Sequence, residues 1–179
     1  MWLFVAQAFW FILPAGIANI TASLSRYVSW FNYPVDFGRS WRGKRIFGDH
    51  KTWRGILFGT LAGLLFFWLQ QFLDRFGFFH NLSLFDYPRT SWFVGLLLAS
   101  GAVWGDVVKS FFKRRVNIEP GRPWIPFDQV DYTVGALFLT SLVYFPGWAV
   151  VTFIVVFGFI LHILFNLIGY VLRLQRNKL

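Results

Sequence analysis

Five apolar stretches separated by polar ones set the plan of this chain. They cover about residues 2–24, 55–73, 91–108, 132–145 and 148–172. Each is near the roughly 20 residues needed to cross a bilayer, the third and fourth being short. The pattern predicts an all-α fold: a polytopic membrane bundle of five transmembrane helices forming a single integral membrane domain over 1–179. The first stretch has no basic flank before it and no small-residue cleavage pattern after it, so it reads as a retained span and not a signal peptide. Pro14 and Gly16 predict a kink or break in it. Phe145-Pro146-Gly147-Trp148 reads as a tight reversal between the last two spans.

Between the spans, charge is distributed unevenly. The loop 25–54 holds Arg26, Arg39, Arg42, Lys44, Arg45, Lys51 and Arg54, and the loop 109–131 holds Lys109, Lys113, Arg114, Arg115 and Arg122. With Arg173, Arg176 and Lys178 in the tail, fifteen cations fall on one face, against Arg75 and Arg89 on the other. By the positive-inside rule the fifteen are cytoplasmic, which puts the N-terminus outside and the C-terminus inside the cell membrane. The composition agrees: 56% of residues are hydrophobic, 14% are charged, and the net charge is +9. Such a balance points either to anionic lipid headgroups or to a polyanionic substrate. No cysteine is present. Thiolate metal sites and Cys nucleophiles are therefore excluded.

Helix packing is written in small residues. Gly55, Gly59 and Gly63 recur every four positions, as do Gly101 and Gly105, which favours close approach of neighbouring helices. Asn19, beyond Pro14, either reaches a cytoplasmic cavity or bonds a neighbouring helix. Of the eight acids, Asp74 and Asp86 fall in the external loop and are expected to be solvated. Asp106, Asp128 and Asp131 instead stand at membrane ends of spans, where a carboxylate costs desolvation energy and is usually paired or metal-bound. Asp106 shares a helical face with Lys109, Ser110, Lys113 and Arg114. Three carboxylates among cations suit Mg²⁺ with substrate phosphates, and they equally suit a salt-bridge network. The first basic loop mixes glycines, cations and hydroxyls. There Thr52 is placed to cap the following helix, whose N-terminus favours phosphate.

Phe47-Gly48-Asp49-His50-Lys51-Thr52-Trp53-Arg54-Gly55, with Pro34-Val35-Asp36-Phe37-Gly38, Gly105-Asp106 through Arg115 and Phe127-Asp128-Gln129-Val130-Asp131, resembles the archaeal CDP-archaeol synthases. Leu13-Pro14-Ala15 with Asn19, and His162 with Asn166, extend the resemblance over most of the chain. It implies a membrane cytidylyltransferase that joins CTP to an isoprenoid ether lipid phosphate, with Mg²⁺, giving CDP-archaeol and pyrophosphate. Its partners would be CTP, that lipid phosphate and membrane lipids, with no nucleic acid. Asp106, Asp128, Asp131 and Lys113 would be catalytic, the three acids holding the metal. Substrate would be bound by Lys109, Arg114, Arg115, Arg45, Asp49, His50, Lys51, Thr52, Arg54 and Asn19. The chain is more distantly similar to the CDP-diacylglycerol synthases, with Gln129 where their terminal motif carries Arg. Two other classes compete. A CDP-alcohol phosphatidyltransferase would need an Asp-Gly-x-x-Ala-Arg signature, which is absent, and a transporter subunit or lipid-binding scaffold would leave three acids at helix ends unexplained.

Overall fold

A computed structural model describes residues 1–119 and 122–171, without the side chains of 165, 166 and 168–171. The expectations on Asn166 and the basic tail lie outside these. Among the described residues there are six α-helices: α1 (Trp2–Leu24), α2 (Trp53–Leu73), α3 (Gly77–His80), α4 (Trp92–Arg115), α5 (Phe127–Ser141) and α6 (Trp148–Val171). Three segments, Trp2–Tyr27, Trp53–Leu73 and Trp92–Arg115, are long and apolar enough to cross a membrane. The all-α expectation needs one amendment. A two-residue hairpin, β1 (Ser40–Trp41) with β2 (Lys44–Arg45), lies in the first basic loop, turning through Arg42 and Gly43 at positive φ.

Two helix boundaries differ from the hydropathy pattern. α4 continues to Arg115, seven residues past the expected end of the apolar run at 108, because Lys and Arg are good helix formers and complement the C-terminal dipole. α5 starts at Phe127 and not near 132, with Asp128 in its first turn, where a carboxylate suits the N-terminal dipole. The polar stretch between them is thereby shortened, and the acids and lysines are carried on rigid helices.

Pro14 does not break α1, which is continuous through it. A proline leaves the carbonyl four residues earlier without a donor. Here that carbonyl, Trp10 O, accepts from Gln70 Nε2 of α2 at 2.5 Å in a buried contact. The small-residue faces do what their spacing predicts. A Cβ on Gly63 would lie 2.5 Å from Ala99 and one on Gly59 2.7 Å from the Ala18 carbonyl, so α2 packs against both α4 and α1. On the opposite side of α2, Leu57, Leu61 and Leu65 are exposed, as lipid-facing positions are. Facing pairs 59 with 103 and 63 with 99 make α2 and α4 antiparallel. α4 and α5 cross with Gly101 against Gly135 and Gly105 against Asp131, again antiparallel. The starts of α1, α4 and α6, each marked by an exposed Trp (Trp2, Trp92, Trp148), therefore share one end of the bundle.

At that end, Asp74 departs from expectation. It is buried and accepts from Ser83 Oγ and, at 3.2 Å, pairs with His80 Nδ1, because α3 and the turn after it fold over the end of α2.

Candidate active site

The crossing of α4 and α5 builds the opposite end. With Gly105 and Gly135 lacking side chains, the α5 backbone at Asp131 lies against α4 one turn before Lys109. Asp128 and Asp131, three residues apart, then face Asp106, Lys109 and Lys113. Lys109 Nζ lies 3.0 Å from Asp106, 2.9 Å from Asp128 and 2.5 Å from Asp131. Lys113 Nζ donates to both oxygens of Asp128, at 3.0 and 3.1 Å, and to the Arg122 carbonyl at 2.5 Å. Trp124 N–H donates to Asp128 at 2.6 Å. Lys51, from the first loop, closes the set on Asp106. Three carboxylates and three ammonium groups thus form one near-neutral, largely buried cluster, which is how charge is tolerated away from water.

Asp36 organises the wall of this cluster. Its buried carboxylate accepts from the backbone N–H groups of Gly38, Phe47 and Gly48 at 2.9 to 3.1 Å and from Arg45 at 2.7 Å. Burial works to raise its pKa, but the Arg45 and backbone hydrogen bonds prevail and lower it to about 2. The loop so fixed delivers Asp49, His50 and Lys51. Sequence reasoning quoted Asp36 as part of a motif but did not single it out as the residue that fixes the loop; the signal was an Asp two residues before Gly in a loop, the pattern of an Asx turn.

The structure sorts the expected substrate-binding residues. Asp49, His50, Lys51, Lys109, Lys113 and Arg114 line one cleft of about 110 Å³. A second pocket, of about 280 Å³, shares His50 and Lys51 and adds Thr52, Arg54 and Asp106. Asn19 lines neither; it lines a third cavity, between α1, α5 and α6. Thr52 caps α2, accepting from Gly55 N–H at 3.3 Å. Arg54 is buried and donates to the Val28 carbonyl. Arg45 bridges Asp36 and Asp49. Arg115, expected on phosphate, donates instead to the carbonyls of Trp41, Lys44 and Arg45 at 2.6 to 3.2 Å and lies over the Trp41 and Phe111 rings. It fastens the hairpin to the end of α4. Ser110 Oγ turns back onto the Asp106 carbonyl of its own helix.

These features coincide with a known family. A family model described as CarS-like, CDP-archaeol synthase, matches residues 1–178. The chain belongs to this family. It is similar to the CDP-archaeol synthase of Methanopyrus kandleri (39% identity, covering 97% of this chain and 93% of the relative) and to that of Methanocaldococcus jannaschii (35%, 93% and 92%). That of Pyrococcus furiosus is 42% identical over 74% of this chain and 73% of its own. A solved structure of an intramembrane enzyme for archaeal membrane lipids biosynthesis superposes with a TM-score of 0.71 at 32% identity, over 89% of this chain and 92% of that one. This member of the CarS-like family is a multi-pass membrane protein built as a helical bundle.

Whether the cluster suits a metal can be judged from its donors. Among the described residues no three His, Asp or Glu side chains stand as a ready-made cage. The three carboxylates nonetheless converge on one cationic centre, the Lys109 ammonium, with oxygen donors only. Mg²⁺ commonly takes one or two carboxylates and completes its shell with water and substrate phosphates, so Asp106, Asp128 and Asp131 fit an ion that arrives with a nucleotide.

Proposed function

We propose that this chain is a CTP-dependent cytidylyltransferase of the cell membrane that converts a 2,3-di-O-geranylgeranylglyceryl phosphate into CDP-archaeol and pyrophosphate, with Mg²⁺. One observation carries the reading: in a member of the CDP-archaeol synthase family, three carboxylates and three lysines meet, and those three lysines also line a cleft between the first basic loop and the end of α4.

In this reading α1, α2, α4, α5 and α6 span the bilayer as one domain, with the N-terminus outside and the C-terminus and cluster at the cytoplasmic face. Supporting it are the shared end of Trp2, Trp92 and Trp148 and the fifteen cations assigned to the other side. CTP enters the cleft from the cytoplasm. Lys51, Lys113 and Arg114 neutralise its triphosphate, with His50 lining the same cleft, while the loop held by Asp36 and Arg115 keeps them in place. Asp106, Asp128 and Asp131 would hold the metal, which would supply charge neutralisation and Lewis-acid polarisation of the phosphates. An oxygen of the lipid phosphate forms the new bond to the α-phosphorus as the bond to the β-phosphate oxygen breaks. No residue is needed as a base, since a phosphate monoester with a second pKa near about 6 is already mostly dianionic. The chain's contribution is positioning and charge compensation, which carry most of the catalysis in phosphoryl transfer.

The test is purified protein with CTP, the lipid phosphate and a Mg²⁺ series, following pyrophosphate and the CDP-lipid by mass. Stoichiometric formation of both, abolished by chelation, is expected. Equal turnover of ATP, or no product at any Mg²⁺ concentration, overturns the reading.

A further inference from the structure

Away from the charged cluster, the stretch that leaves α1 carries an exposed surface that the chemistry above does not use. We propose that residues 26–39 form an interfacial foot, which docks through its aromatic side chains and two arginines onto the anionic headgroups of the bilayer around the bundle. The partner is bulk bilayer lipid, so the proposal needs only the membrane bundle already described and neither substrate.

The depth of this stretch follows from its register. α2 has 21 residues, Trp53–Leu73, and at about 1.5 Å per residue it covers about 30 Å, the thickness of the hydrocarbon core. Its first residue therefore stands at the membrane surface. Trp53 N–H donates to the Tyr33 carbonyl at 2.9 Å, Arg54 N–H to that of Phe31 at 3.0 Å, and Val35 N–H to that of Lys51 at 2.8 Å. Residues 31–35 are thus bound, backbone to backbone, beside the start of α2. Tyr27 and Trp30 lie between this paired stretch and Leu24, where α1 ends as a span. The hairpin that follows stands higher. α4 continues about 10 Å past its apolar run before Arg115 holds the hairpin by the Trp41 carbonyl, so the foot stops short of it.

Tyr27, Trp30, Phe31, Tyr33 and Phe37 are each more than half exposed. Such a patch marks an interaction surface, and at this depth the headgroup region suits it, since Trp and Tyr settle there with the ring inward and the polar group wet. Two of the rings also sit on a backbone that ill suits them. Phe31 has φ 54° and Phe37 φ 49°, in the left-handed region that Gly and Asn fill at less cost. Phe37 closes the turn from Pro34, and its ring lies 6.3 Å from that of Trp53, at the membrane entry of α2. A ring kept at such a position and left exposed calls for a partner outside the chain. Charge says which. Arg26 and Arg39 are exposed, whereas Asp36, the sole acid between Ser25 and Gly48, is buried against Arg45 and backbone N–H groups. The Arg26 guanidinium lies over the Tyr27 ring at 4.8 Å, which keeps cation and ring at one level. Rings and cations without an exposed acid match a bilayer with negative headgroups better than a neutral one. Docking there also steadies the site, because Asp36 on the foot accepts from Phe47 and Gly48 of the loop that delivers Lys51.

The experiment reads the depth of the foot in bilayers of chosen charge. The chain has no cysteine, so Asn32→Cys, between Phe31 and Tyr33, and Glu119→Cys, in the second polar loop, can each carry one environment-sensitive fluorophore. In nanodiscs containing anionic phospholipid the probe at 32 should emit at shorter wavelength than the probe at 119. It should also be quenched more by lipids bearing a nitroxide near the headgroup. Each arginine near a negative surface favours the docked state about fivefold, so Arg26→Gln with Arg39→Gln should lower the ratio of docked to free foot about twenty-five-fold in anionic nanodiscs and leave it unchanged in neutral ones. Added salt should act on the parent as the double substitution does. Phe31→Asn and Phe37→Asn suit the local backbone, so they should weaken quenching in bilayers while melting in detergent holds or rises, which separates docking from folding. Hydrogen exchange checks the result without a label: the amides of residues 27–32 should exchange more slowly in anionic than in neutral nanodiscs, and the double substitution should remove the difference. A probe at 32 that stays as wet as the one at 119 in every bilayer overturns the proposal and leaves this face to a soluble protein. Equal docking in neutral and anionic nanodiscs overturns it too, as does an arginine pair whose replacement changes nothing. None of these readouts uses turnover, so a failed cytidylyl-transfer assay would strike the functional reading and leave the foot standing.

Discussion

Lys109 lies 2.5 Å from Asp131 and within 3.0 Å of Asp106 and Asp128, so a single ammonium from α4 holds three carboxylates together and joins α4 to α5. A group in that position offsets the mutual repulsion of all three carboxylates. Replacing it with an uncharged side chain of similar length, Lys109→Met, leaves three carboxylates facing one another, a loss of about 3 to 5 kcal/mol when a buried pair is broken. If the acids also bind Mg²⁺, the ion should restore much of that stability. Melting of Lys109→Met and of the parent across a Mg²⁺ series checks this: the variant's transition should rise with Mg²⁺ much more than the parent's. A parallel response in both proteins would argue for a purely structural network.

The acids allow the complementary measurement. Asp128→Asn and Asp131→Asn keep size and most hydrogen bonding but remove charge. Cytidylyl transfer should fall by on the order of 10² to 10³ while the fold survives, since loss of preorganised electrostatic stabilisation acts on the transition state. Thermal stability and turnover measured side by side give the answer. Variants that melt early and regain activity on cooling, with unchanged Mg²⁺ dependence, would assign the acids to a salt-bridge network.

Local spacing carried much of this architecture in the sequence. Glycines at 55, 59 and 63 and at 101 and 105 announced the packed faces of α2 and α4, and the i, i+3 and i, i+4 spacings put Asp106, Lys109 and Lys113 on one face. What spacing cannot give is the partner across the interface. Gly135 is a lone glycine in its own helix, and only its juxtaposition with Gly101 explains it. Arg115 reads as a phosphate ligand because its charge is visible and the three carbonyls it serves are not, being assembled by a hairpin 70 or more residues away. Asp74 reads as solvated because nothing local says that α3 will fold over it. The ends of α4 and α5 were misjudged for another reason: hydropathy marks where a chain leaves the apolar phase, and a helix with well-placed charges continues beyond it.

Asp36 makes a prediction in pH. Its folded-state value, about 2, lies below the ordinary carboxylate value, so the stability it gives the loop is complete above about pH 4 and is lost as pH falls through about 2. Asp36→Asn should lower the hydrogen-exchange protection of the Phe47 and Gly48 amides at pH 7. Hydrogen bonds to a charged group are worth about 1.5 to 3 kcal/mol each. Protection factors of parent and variant should converge as pH drops from about 4 towards about 2, because the parent then protonates as well. A gap that persists undiminished at low pH would mean that shape, and not charge, holds the loop.

Topology is tested by labelling, for which a chain without native cysteine is well suited. A cysteine replacing Asp86 should react with an impermeant maleimide in intact cells, and one replacing Arg42 should react only after lysis. Both positions are solvent-exposed, so access to the side chain does not confuse the result. Labelling of Arg42→Cys from outside would invert the bundle and place the cluster away from cytoplasmic CTP.

The bond from Gln70 to the Trp10 carbonyl allows a test in which one substitution should cancel another. Pro14 removes the N–H that would have satisfied that carbonyl, and Gln70 Nε2 supplies the donor from α2. In a buried site within the membrane an unsatisfied carbonyl is expensive, so Gln70→Leu should destabilise the protein by about 1 to 3 kcal/mol. Pro14→Ala restores the N–H at position 14 and lets α1 satisfy Trp10 O within its own turn. In the Pro14→Ala background, Gln70→Leu should therefore cost much less, and the double-mutant cycle should show a coupling of about 1 kcal/mol or more. Equilibrium unfolding in mixed micelles of the four proteins measures it. Additive effects would show that Gln70 stabilises the α1 to α2 contact by packing alone, and that the carbonyl freed by Pro14 finds its donor elsewhere.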